Sequence, residues 1–430
     1  MRICILSEYF YPDSTGGTGT VLSKLVRHLK DQHSNLQIDV ITSRNLFRGE
    51  SGILPRREEW DGVHIYRLGS PVPRKKSVKR RLAANMVFTT KSFLRLLFSR
   101  RYDLILVVTA PPTLPLATKL FSNLTKTPYI YLVYDLYLDM AIAMKMVSPQ
   151  SRIIKTFRKV QTGWFQGAAR TLVLGRCMRD HVAATYGLSL DKIGVVPIPS
   201  NLDLIVPMPK EFTKFRRDNA ISGFLVLYAG NFAQYQDFDT LLDAAKLLLP
   251  HQDITFAFVG DGAKKDHIAG RIRSEKLTNV RMMPFVPEPE LCDMLASADV
   301  SLVTLERGIE GLAVPSKFYN IMASGRATVA CVPPTSEIAH VIAEAHCGVQ
   351  VDQENAQDLA TSLADLASNP QKLILMGQNA RRFSEERFGF EQIGQQFYQI
   401  FNEVIAASNL NHTSVKRGAG SGKSKAKDFH

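Results

Sequence analysis

The segment Val314-Pro315-Ser316-Lys317 combines residue types and a spacing that suit the binding of an anion. Ser316 is a common capping residue, residues 318–323 have the composition of a short helix, and Gly325 commonly follows a helix end. The free amides and positive dipole end of such a helix attract phosphate groups, and Lys317 adds a full charge in the first turn. The segment therefore predicts a phosphate or diphosphate site, with a capped surface helix and a solvated lysine as the alternative.

Other candidates follow strand-like runs, because ligands bind at the carboxyl ends of the strands in doubly wound sheets. Gly16 and Gly17 follow the first run, and glycine lets a backbone approach a ligand without a clash. The sequence Gly-Asp-Gly at 260–262 and the acid Asp135 follow two later runs. A tight turn is the alternative for the paired glycines, and capping of the next helix is the alternative for Asp135.

Little in the sequence would hold a metal or an organic cofactor. Cys177 and His181 lie four residues apart but lack a second pair of ligands, so simple packing is favoured over zinc. Residues 16–19 lack the Gly-x-Gly-x-x-Gly spacing, which disfavours a nicotinamide dinucleotide. We therefore expect metal-independent chemistry without a cofactor.

A regular alternation of apolar runs and helical patterns predicts the elements that would position these residues. Such alternation is typical of βαβ units with a parallel sheet. The runs occur at 3–6, 38–42, 64–67, 104–108, 129–133, 171–174 and 193–196, and again at 224–229, 254–259, 280–283, 300–304 and 328–330. The predicted fold class is α/β, with two doubly wound Rossmann-like domains.

Chain length and proline content predict where the domains divide. At 430 residues the chain exceeds the roughly 250–300 residues at which one hydrophobic core stops growing. Four prolines between positions 197 and 209 disfavour regular structure there. We expect domains at 1–200 and 204–385, a helix at about 389–408 that can pack on either domain, and a disordered basic tail at 409–430.

Composition favours a soluble core in a reducing compartment. Hydrophobic content of 45% and charged content of 22% are near globular averages. The apolar runs are far shorter than the ~18–20 residues of a membrane span. The five cysteines occur singly, which favours free thiols, and the first residues lack the pattern of a secretory signal. We expect a cytoplasmic protein.

The net charge of +13 is concentrated in one part of the chain. Between Asp61 and Asp103 there are eleven Lys and Arg and no acidic residue, and residues 85–99 have the pattern of an amphipathic helix. Cations beside such a helix suit an anionic membrane surface. A solvated face over an ordinary core helix is the alternative. The predicted membrane-facing residues are Arg74, Lys75, Lys76, Lys79, Arg80, Arg81, Lys91 and Arg95.

Several short motifs in a fixed order resemble one enzyme family. They are Tyr9-Phe10-Tyr11-Pro12 with Gly16-Gly17, Ala110-Pro111-Pro112, Val133-Tyr134-Asp135-Leu136, Gly230-Asn231 with Gln236-Asp237, Gly260-Asp261-Gly262, Pro284-Phe285, Ser297-Ala298-Asp299-Val300 and the Pro-Ser-Lys segment. From residue 1 to about 407 the chain resembles the retaining family-four glycosyltransferases, in particular their bacterial lipopolysaccharide, capsule and exopolysaccharide branch. The resemblance implies the GT-B fold, in which two Rossmann-like domains face each other across a cleft.

The resemblance implies roles for residues on both sides of that cleft. The donor-binding residues would be Gly16, Gly17, Asn231, Gln236, Gly260, Asp261, Gly262, Phe285, Pro315, Ser316, Lys317 and Asn320. The catalytic residues would be Glu310, Asp135 and Lys317. A solvent-facing loop acid is the alternative for Glu310, a core aromatic for Phe285 and a turn residue for Asn231.

The chain departs from the family pattern at five positions. The family's carboxylate beside the donor sugar does not fall in register here, and Glu310 is merely the nearest acid. Asn231 and Gln236 replace an Arg and a Lys that hold the diphosphate in most members, which leaves Lys317 as the principal cation. Asn320 replaces a carboxylate that contacts the ribose, and Tyr134 replaces a histidine beside the transferred sugar.

The resemblance implies transfer of a sugar of the N-acetylhexosamine type from a UDP-linked donor to a lipid-linked or growing polysaccharide acceptor, with retention of configuration. It also implies a peripheral position at the inner face of the cell membrane. A nucleotide-sugar epimerase or hydrolase on the same scaffold is one alternative. A nucleic-acid-binding protein, which would fit the pI near 9.5, is a distant one because no recognition motif accompanies the charge.

Overall fold

The computed structural model describes residues 1–12, 17–44, 54–69 and 78–421, and in the last range it describes the side chains of residues 80–410. The predicted residues Gly16, Arg74, Lys75 and Lys76 lie outside the described residues, as does the side chain of Lys79. Within the described ranges no helix has both the length and the apolar character needed to cross a bilayer.

Two sheets form the centre of the structure. The strands of the first are β1 (Arg2–Leu6), β2 (Gln37–Ser43), β3 (Arg57–Trp60), β4 (Val63–Leu68), β5 (Leu104–Val108), β6 (Tyr129–Val133), β7 (Arg170–Val173) and β8 (Ile193–Val195), and those of the second are β9 (Phe224–Asn231), β10 (Ile254–Asp261), β11 (Val280–Met283), β12 (Val300–Thr304), β13 (Ala327–Cys331) and β14 (Gly348–Val351). Their orders are β3-β4-β2-β1-β5-β6-β7-β8 and β11-β10-β9-β12-β13-β14. All neighbours pair in parallel except β3 with β4. The predicted α/β class with two Rossmann-like sheets is confirmed.

Helices connect the parallel strands. The first half contains α1 (Thr18–Gln32), α2 (Val78–Leu97), α3 (Leu114–Thr125), α4 (Tyr137–Ala143), α5 (Arg152–Gly167) and α6 (Arg176–Tyr186). The remainder contains α7 (Lys214–Asp218), α8 (Phe238–Leu247), α9 (Lys265–Ser274), α10 (Leu291–Ser297), α11 (Lys317–Ala323), α12 (Glu337–Ala345), α13 (Ala356–Ser368), α14 (Pro370–Arg387) and α15 (Phe390–Ser421). Central strands such as β5 and β6 are buried along their whole length, which explains their continuous apolar sequences.

The strand orders reverse between β1 and β5 in the first sheet and between β9 and β12 in the second. Crevices at such reversals are where doubly wound sheets bind ligands. The residues that follow β1, β6, β9 and β10 are therefore the ones that the topology places in position to form a site.

The last helix returns to the first half of the molecule. The rings of His33, directly after α1, and Tyr398 of α15 stack at a centroid distance of 3.5 Å, and His28 lies 3.3 Å from the Glu391 carboxylate. α15 continues to Ser421, beyond the predicted end of the last helix at about residue 408. No proline interrupts the helix there. Residues 422–430 lie outside the described residues.

Candidate active site

The carboxyl ends of β9 and β10 lie side by side in the second sheet. Gly230 pairs with Gly260, and Asn231 pairs with Asp261. A Cβ atom at position 260 would lie 1.9 Å from the carbonyl oxygen of Gly230, and one at position 262 would lie 2.4 Å from Oδ1 of Asn231. Side chains other than hydrogen cannot fit at these two positions. The predicted Gly-Asp-Gly segment thus lies directly against the predicted Asn231.

Lys317, the first residue of α11, reaches this same edge. Its Nζ is 3.5 Å from the centre of the Tyr228 ring and 3.4 Å from Oε1 of Gln236. The Tyr228 hydroxyl lies within hydrogen-bond distance of that Oε1, at 2.8 Å, and of the carbonyl oxygen of Asn231, at 2.9 Å, and its single proton is shared between these two acceptors. A Cβ atom at Gly230 would lie 3.3 Å from Nζ. The structure therefore brings three predicted residues, Lys317, Gln236 and Asn231, into one cluster.

The ammonium group of Lys317 pairs with no carboxylate among the described residues. Lys317 keeps part of its surface exposed, yet burial lowers the pKa of its ammonium group well below the ordinary value. A ring face and an amide oxygen replace only part of the lost hydration. A bound anion would stabilise the charged form, and a diphosphate has the charge and the oxygen acceptors to do so.

The helix that begins at Lys317 lacks the predicted cap. Ser316 has helical dihedral angles and its side chain makes no capping hydrogen bond, so that part of the prediction is wrong. The amide of Phe318 donates instead to the carbonyl of Pro315 at 3.2 Å, because the first turn closes on its own backbone. Gly325 follows the helix with φ of 66°, as expected for a residue after a helix end.

Asp135 reaches the same region from the first sheet. It forms an isolated antiparallel bridge with Ala313, and the amide of Leu136 donates to the carbonyl of Leu312 at 3.0 Å. Ala313 precedes Lys317 by four residues. The two halves of the molecule thus meet at the segment that leads into α11, four residues before Lys317.

Ion pairs also join the two halves. Lys24 of α1 pairs with Glu288, which precedes α10. Arg176 of α6 pairs with the buried carboxylate of Glu337 in α12, with an N to O distance of 3.0 Å. These ion pairs connect α1 with the segment before α10, and α6 with α12.

The carboxyl group of Asp135 is partly desolvated. Burial raises its pKa to about 6, and a hydrogen bond from Tyr137 opposes that shift. Asp135 keeps part of its surface exposed, which places it in the wall of the cleft rather than in the core. Such a carboxyl group can change its protonation state near neutral pH, which suits a residue that orients or exchanges protons with a hydroxyl group.

Two tyrosines near Asp135 were missed by sequence reasoning. Tyr137 exposes 40% of its surface. Its position two residues after Asp135 was the only sequence feature that could have indicated it. Tyr235 comes from the opposite half, and burial followed by the negative charge of Asp135 raises its pKa to about 12. The position of Tyr235 next to Gln236 was its only sequence signal.

The sequence analysis also did not identify Lys264, a second cation at the edge of the second sheet. Lys264, which follows the Gly-Asp-Gly segment closely, donates to the backbone carbonyl of Gln236 at 2.7 Å and pairs with Glu306. Glu306 therefore balances its charge, in contrast to Lys317. The predicted Glu310 accepts a hydrogen bond from the amide of Gly308 at 2.9 Å, so its carboxylate is engaged in its own turn.

Solved structures share this architecture over nearly the whole chain. The sucrose-phosphate synthase of Thermosynechococcus elongatus superposes with a TM-score of 0.75 at 16% identity, covering 94% of this chain and 99% of that one. HepE of Anabaena, in complex with UDP-glucose, superposes with a TM-score of 0.68 at 15% identity, covering 94% and 100%. These similarities establish the GT-B fold.

Two family models match the two halves. One, described as "Glycosyl transferase 4-like domain", matches residues 16–199, and the other, described as "Glycosyl transferases group 1", matches residues 210–383. The protein is a glycosyltransferase. Its Lys317 and Asn231 lie in the part matched by the group 1 model, and its Asp135 lies in the part matched by the other.

Bacterial relatives of this glycosyltransferase carry similar names. The "Probable glycosyltransferase WbjE" of Pseudomonas aeruginosa is 28% identical over 251 residues, which cover 58% of this chain and 62% of that protein. WcaI of Escherichia coli, named as a colanic acid biosynthesis glycosyl transferase, is 22% identical over 413 residues, covering 92% and 98%. The chain thus aligns with a little under two thirds of the first relative and with nearly all of the second.

Other predicted residues of the glycosyltransferase lie at strand ends or in first turns. Gly17 precedes α1 directly and has φ of 80°, a conformation that favours glycine. Phe285 follows β11 and Asn320 lies in α11, and both are half-buried. Their roles in donor binding stay predictions.

Cys177 and His181 lie against Gly311. A Cβ atom at Gly311 would lie 3.0 Å from the carbonyl oxygen of Cys177 and 3.4 Å from Cβ of His181. The two residues thus support the loop that precedes the Pro-Ser-Lys segment of the glycosyltransferase. Across the described ranges, no group of three or more His, Cys, Asp or Glu side chains is arranged to hold a metal ion.

The basic residues of α2 have different surroundings. Lys91 donates to the carbonyl of Gly69 at 2.7 Å, and the guanidinium of Arg95 lies 3.9 Å from the centre of the Tyr66 ring. Arg80 and Arg81 are exposed. Arg95 therefore packs on its own sheet, whereas the two arginines of the first turns face solvent.

Proposed function

We propose that this glycosyltransferase uses a UDP-linked sugar donor and that Lys317 is the cation that holds its diphosphate. The observation that carries the proposal is the position of Nζ, 3.5 Å from the centre of the Tyr228 ring and without a carboxylate partner in the described structure. Negative charge builds up on the leaving diphosphate as its bond to the sugar breaks. A fixed cation at that point stabilises the transition state more than the ground state.

Neighbouring residues of the second half would complete the donor site. The glycines at 260 and 262 let the backbone approach the nucleotide closely. Asn320 offers an amide to the ribose hydroxyls, and Phe285 offers an aromatic edge near the base. Pro315 and Ser316 would fix the approach of the diphosphate to α11.

Asp135 would act on the sugar side of the site. Its pKa of about 6 leaves it ionised at neutral pH, where it accepts a hydrogen bond from a hydroxyl of the donor sugar or of the acceptor. Glu310 would contact the sugar through Oε1, because its Oε2 accepts a hydrogen bond from the amide of Gly308. Gly16 and Gly17 would allow the acceptor or the donor phosphates to approach the end of β1.

We infer that the acceptor is a lipid-linked or growing polysaccharide and that a sugar of the N-acetylhexosamine type is transferred with retention. The support is the resemblance to family-four enzymes and the names of similar proteins. The Escherichia coli relative is named for colanic acid biosynthesis, HepE was solved with UDP and UDP-glucose, and WaaG is described as involved in lipopolysaccharide biosynthesis. Such acceptors place the enzyme at the inner face of the cell membrane, where Arg80 and Arg81 would meet anionic lipid.

A donor panel tests the proposal. Purified protein is incubated with UDP- and GDP-linked sugars, with and without lipid-diphosphate saccharide acceptors, and release of nucleoside diphosphate is measured. We expect UDP release that depends on an acceptor, together with a product of retained anomeric configuration. Release of UDP or formation of an epimer from the donor alone would favour the hydrolase or epimerase alternative. No release with any donor and acceptor would contradict the proposal.

A further inference from the structure

Tyr137, the first residue of α4, is exposed and yet surrounded by protein. It keeps 40% of its surface exposed. Even so, the pKa of its hydroxyl group is raised well above the ordinary value, and burial is the largest cause. A side chain that meets solvent while protein surrounds it lines a concave surface. Tyr137 therefore forms part of a wall of the cleft, where its hydroxyl group donates a hydrogen bond to Asp135.

Tyrosines that follow two other strands lie near this hydroxyl group. Tyr9 follows β1, and Tyr235 follows β9. After burial and the charge of Asp135, these two tyrosines are the next causes that raise the pKa of Tyr137, and neighbouring groups act in this way only when they are near. Tyr235 belongs to the second half of the molecule and Tyr137 to the first. Aromatic side chains thus border Asp135 from both halves.

Tyr235 is also held close to Lys317. Its backbone carbonyl accepts a hydrogen bond from the amide of Glu306 at 2.8 Å. The next residue, Gln236, has its Oε1 3.4 Å from Nζ of Lys317. A sugar bonded to the second phosphate of a diphosphate begins one bond beyond that diphosphate. If Lys317 holds the diphosphate, the sugar enters the space beside Tyr235 and Asp135.

The groups around this space match the chemistry of a pyranose ring. Such a ring has an apolar face made of C–H groups and a rim of hydroxyl groups. The face of an aromatic side chain packs on the C–H groups, and a carboxylate accepts hydrogen bonds from the hydroxyl groups. A hydrocarbon chain would pack on the tyrosines but would offer no hydrogen-bond donor to Asp135, which is unfavourable in a partly desolvated site.

We propose that Tyr137 and Tyr235 are specificity-determining residues for the transferred sugar. The ring of Tyr137 supports the C–H face of the pyranose from the first half, and Tyr235 covers the sugar from the second half. Asp135 accepts a hydrogen bond from one of its hydroxyl groups. This assignment rests on the proposed function, because the diphosphate held by Lys317 determines where the sugar begins. It extends the donor site to the sugar through two residues that lie just outside the sequence motifs.

The affinities of UDP and of two sugar donors test the proposal. Calorimetric titration of UDP, UDP-glucose and UDP-N-acetylglucosamine is performed at pH 8, where Asp135 is ionised. We expect Tyr137→Leu and Tyr235→Leu each to weaken the binding of at least one sugar donor roughly 3- to 10-fold, the range that aromatic packing contributes. Both variants should bind UDP within twofold of wild type. Tyr137→Phe keeps the aromatic ring and should bind all three ligands within twofold of wild type.

Ligand-observed NMR compares the two ends of one donor molecule. For the sugar donor that the wild type binds more tightly, the saturation transferred from the protein to the sugar protons is divided by that transferred to the uracil protons. This ratio should fall in the two Leu variants and should be unchanged in Tyr137→Phe. The matched control is Tyr398→Leu, which removes a tyrosine that stacks on His33. It should leave the ratio and all three affinities as in the wild type.

Three results would overturn the proposal. These are a folded Leu variant that binds both sugar donors like the wild type, equal weakening of UDP and of the sugar donors, or the same loss in Tyr398→Leu. The thermal unfolding midpoint shows which variants are folded, and either Leu variant alone tests the proposal. Failure of the proposed function has a different signature, because UDP would then not bind the wild type, or Lys317→Ala would not weaken its binding.

Discussion

The ammonium group of Lys317 lies 3.5 Å from the centre of the Tyr228 ring and 3.4 Å from the amide oxygen of Gln236. A lysine enclosed in this way has lost hydration and has gained a π face and an amide dipole in return. Its charge is therefore available to a ligand, unlike that of Lys264, which Glu306 balances. This difference between two lysines at one sheet edge is the basis of the proposed donor site.

Diphosphate binding should be accompanied by proton uptake. Burial lowers the pKa of Lys317 in the free protein, and a bound diphosphate favours the cation and so raises that pKa again. At an alkaline pH that is still below the ordinary pKa of lysine, the complex therefore binds more protons than the free protein and free UDP do together. Calorimetric titration of UDP in buffers of different ionisation heat measures this uptake. Uridine should cause none, and Lys317→Met should abolish the uptake caused by UDP. An unchanged uptake in Lys317→Met would contradict the assignment.

Asp135 should make the free energy of unfolding depend on pH. Its folded pKa of about 6 is higher than the ordinary 3.8, so the folded state binds more protons between these values. The contribution of Asp135 to the free energy of unfolding is fully present below about pH 4 and is lost as the pH rises through about 6. Asp135→Asn should therefore be more stable than wild type at pH 7, by roughly 1 to 2 kcal/mol after allowance for solvent exposure, and should match it at pH 4. Urea denaturation at both pH values measures the difference.

Tyr137→Phe is the companion experiment for Asp135. The tyrosine hydroxyl lowers the pKa of the carboxyl group by a hydrogen bond, so its removal should raise that pKa above about 6. If turnover requires ionised Asp135, the acidic limb of the pH profile should move to higher pH in this variant. An acidic limb at an unchanged position would show that Asp135 does not control it.

Gly260→Ala should destabilise the protein strongly. The added Cβ would lie 1.9 Å from the carbonyl oxygen of Gly230, which the paired strands hold in place. We expect a loss on the order of 2–3 kcal/mol in the free energy of unfolding, as for an overpacked core. Gly270→Ala is the matched control because a Cβ there meets no atom within 4 Å, and in helix α9 it should stabilise by about 0.5–1 kcal/mol. Equal effects would contradict the close approach of β9 and β10.

The sequence predicted most strands because buried parallel strands have continuous apolar runs, as β5, β6 and β9 do. It did not predict β3 or β14. β3, with the sequence Arg-Glu-Glu-Trp, is a polar antiparallel edge strand, and β14 is a short edge strand with an interior Gln. Edge strands bury few of their side chains, so their sequences contain only a weak pattern of apolar residues.

Within the site, Lys317, Asn231 and Gln236 were predictable because each follows a strand or begins a helix. The partners of Lys317 were not, since Tyr228 has the sequence context of an ordinary core strand residue. Tyr235 and Asp135 come together only through contact between the two halves, which no local pattern records.

The central claim is that Lys317 binds the diphosphate, and the affinities of UDP and uridine test it most directly. Calorimetric titration is performed on the wild type, on Lys317→Ala and on the control Lys372→Ala. In the wild type the ammonium group of Lys372 pairs with Asp365. We predict that Lys317→Ala weakens UDP binding about 10- to 100-fold, the range expected for a lost charge-assisted contact, and leaves uridine binding within twofold. Equal weakening of both ligands, or no weakening of UDP binding, would contradict the account.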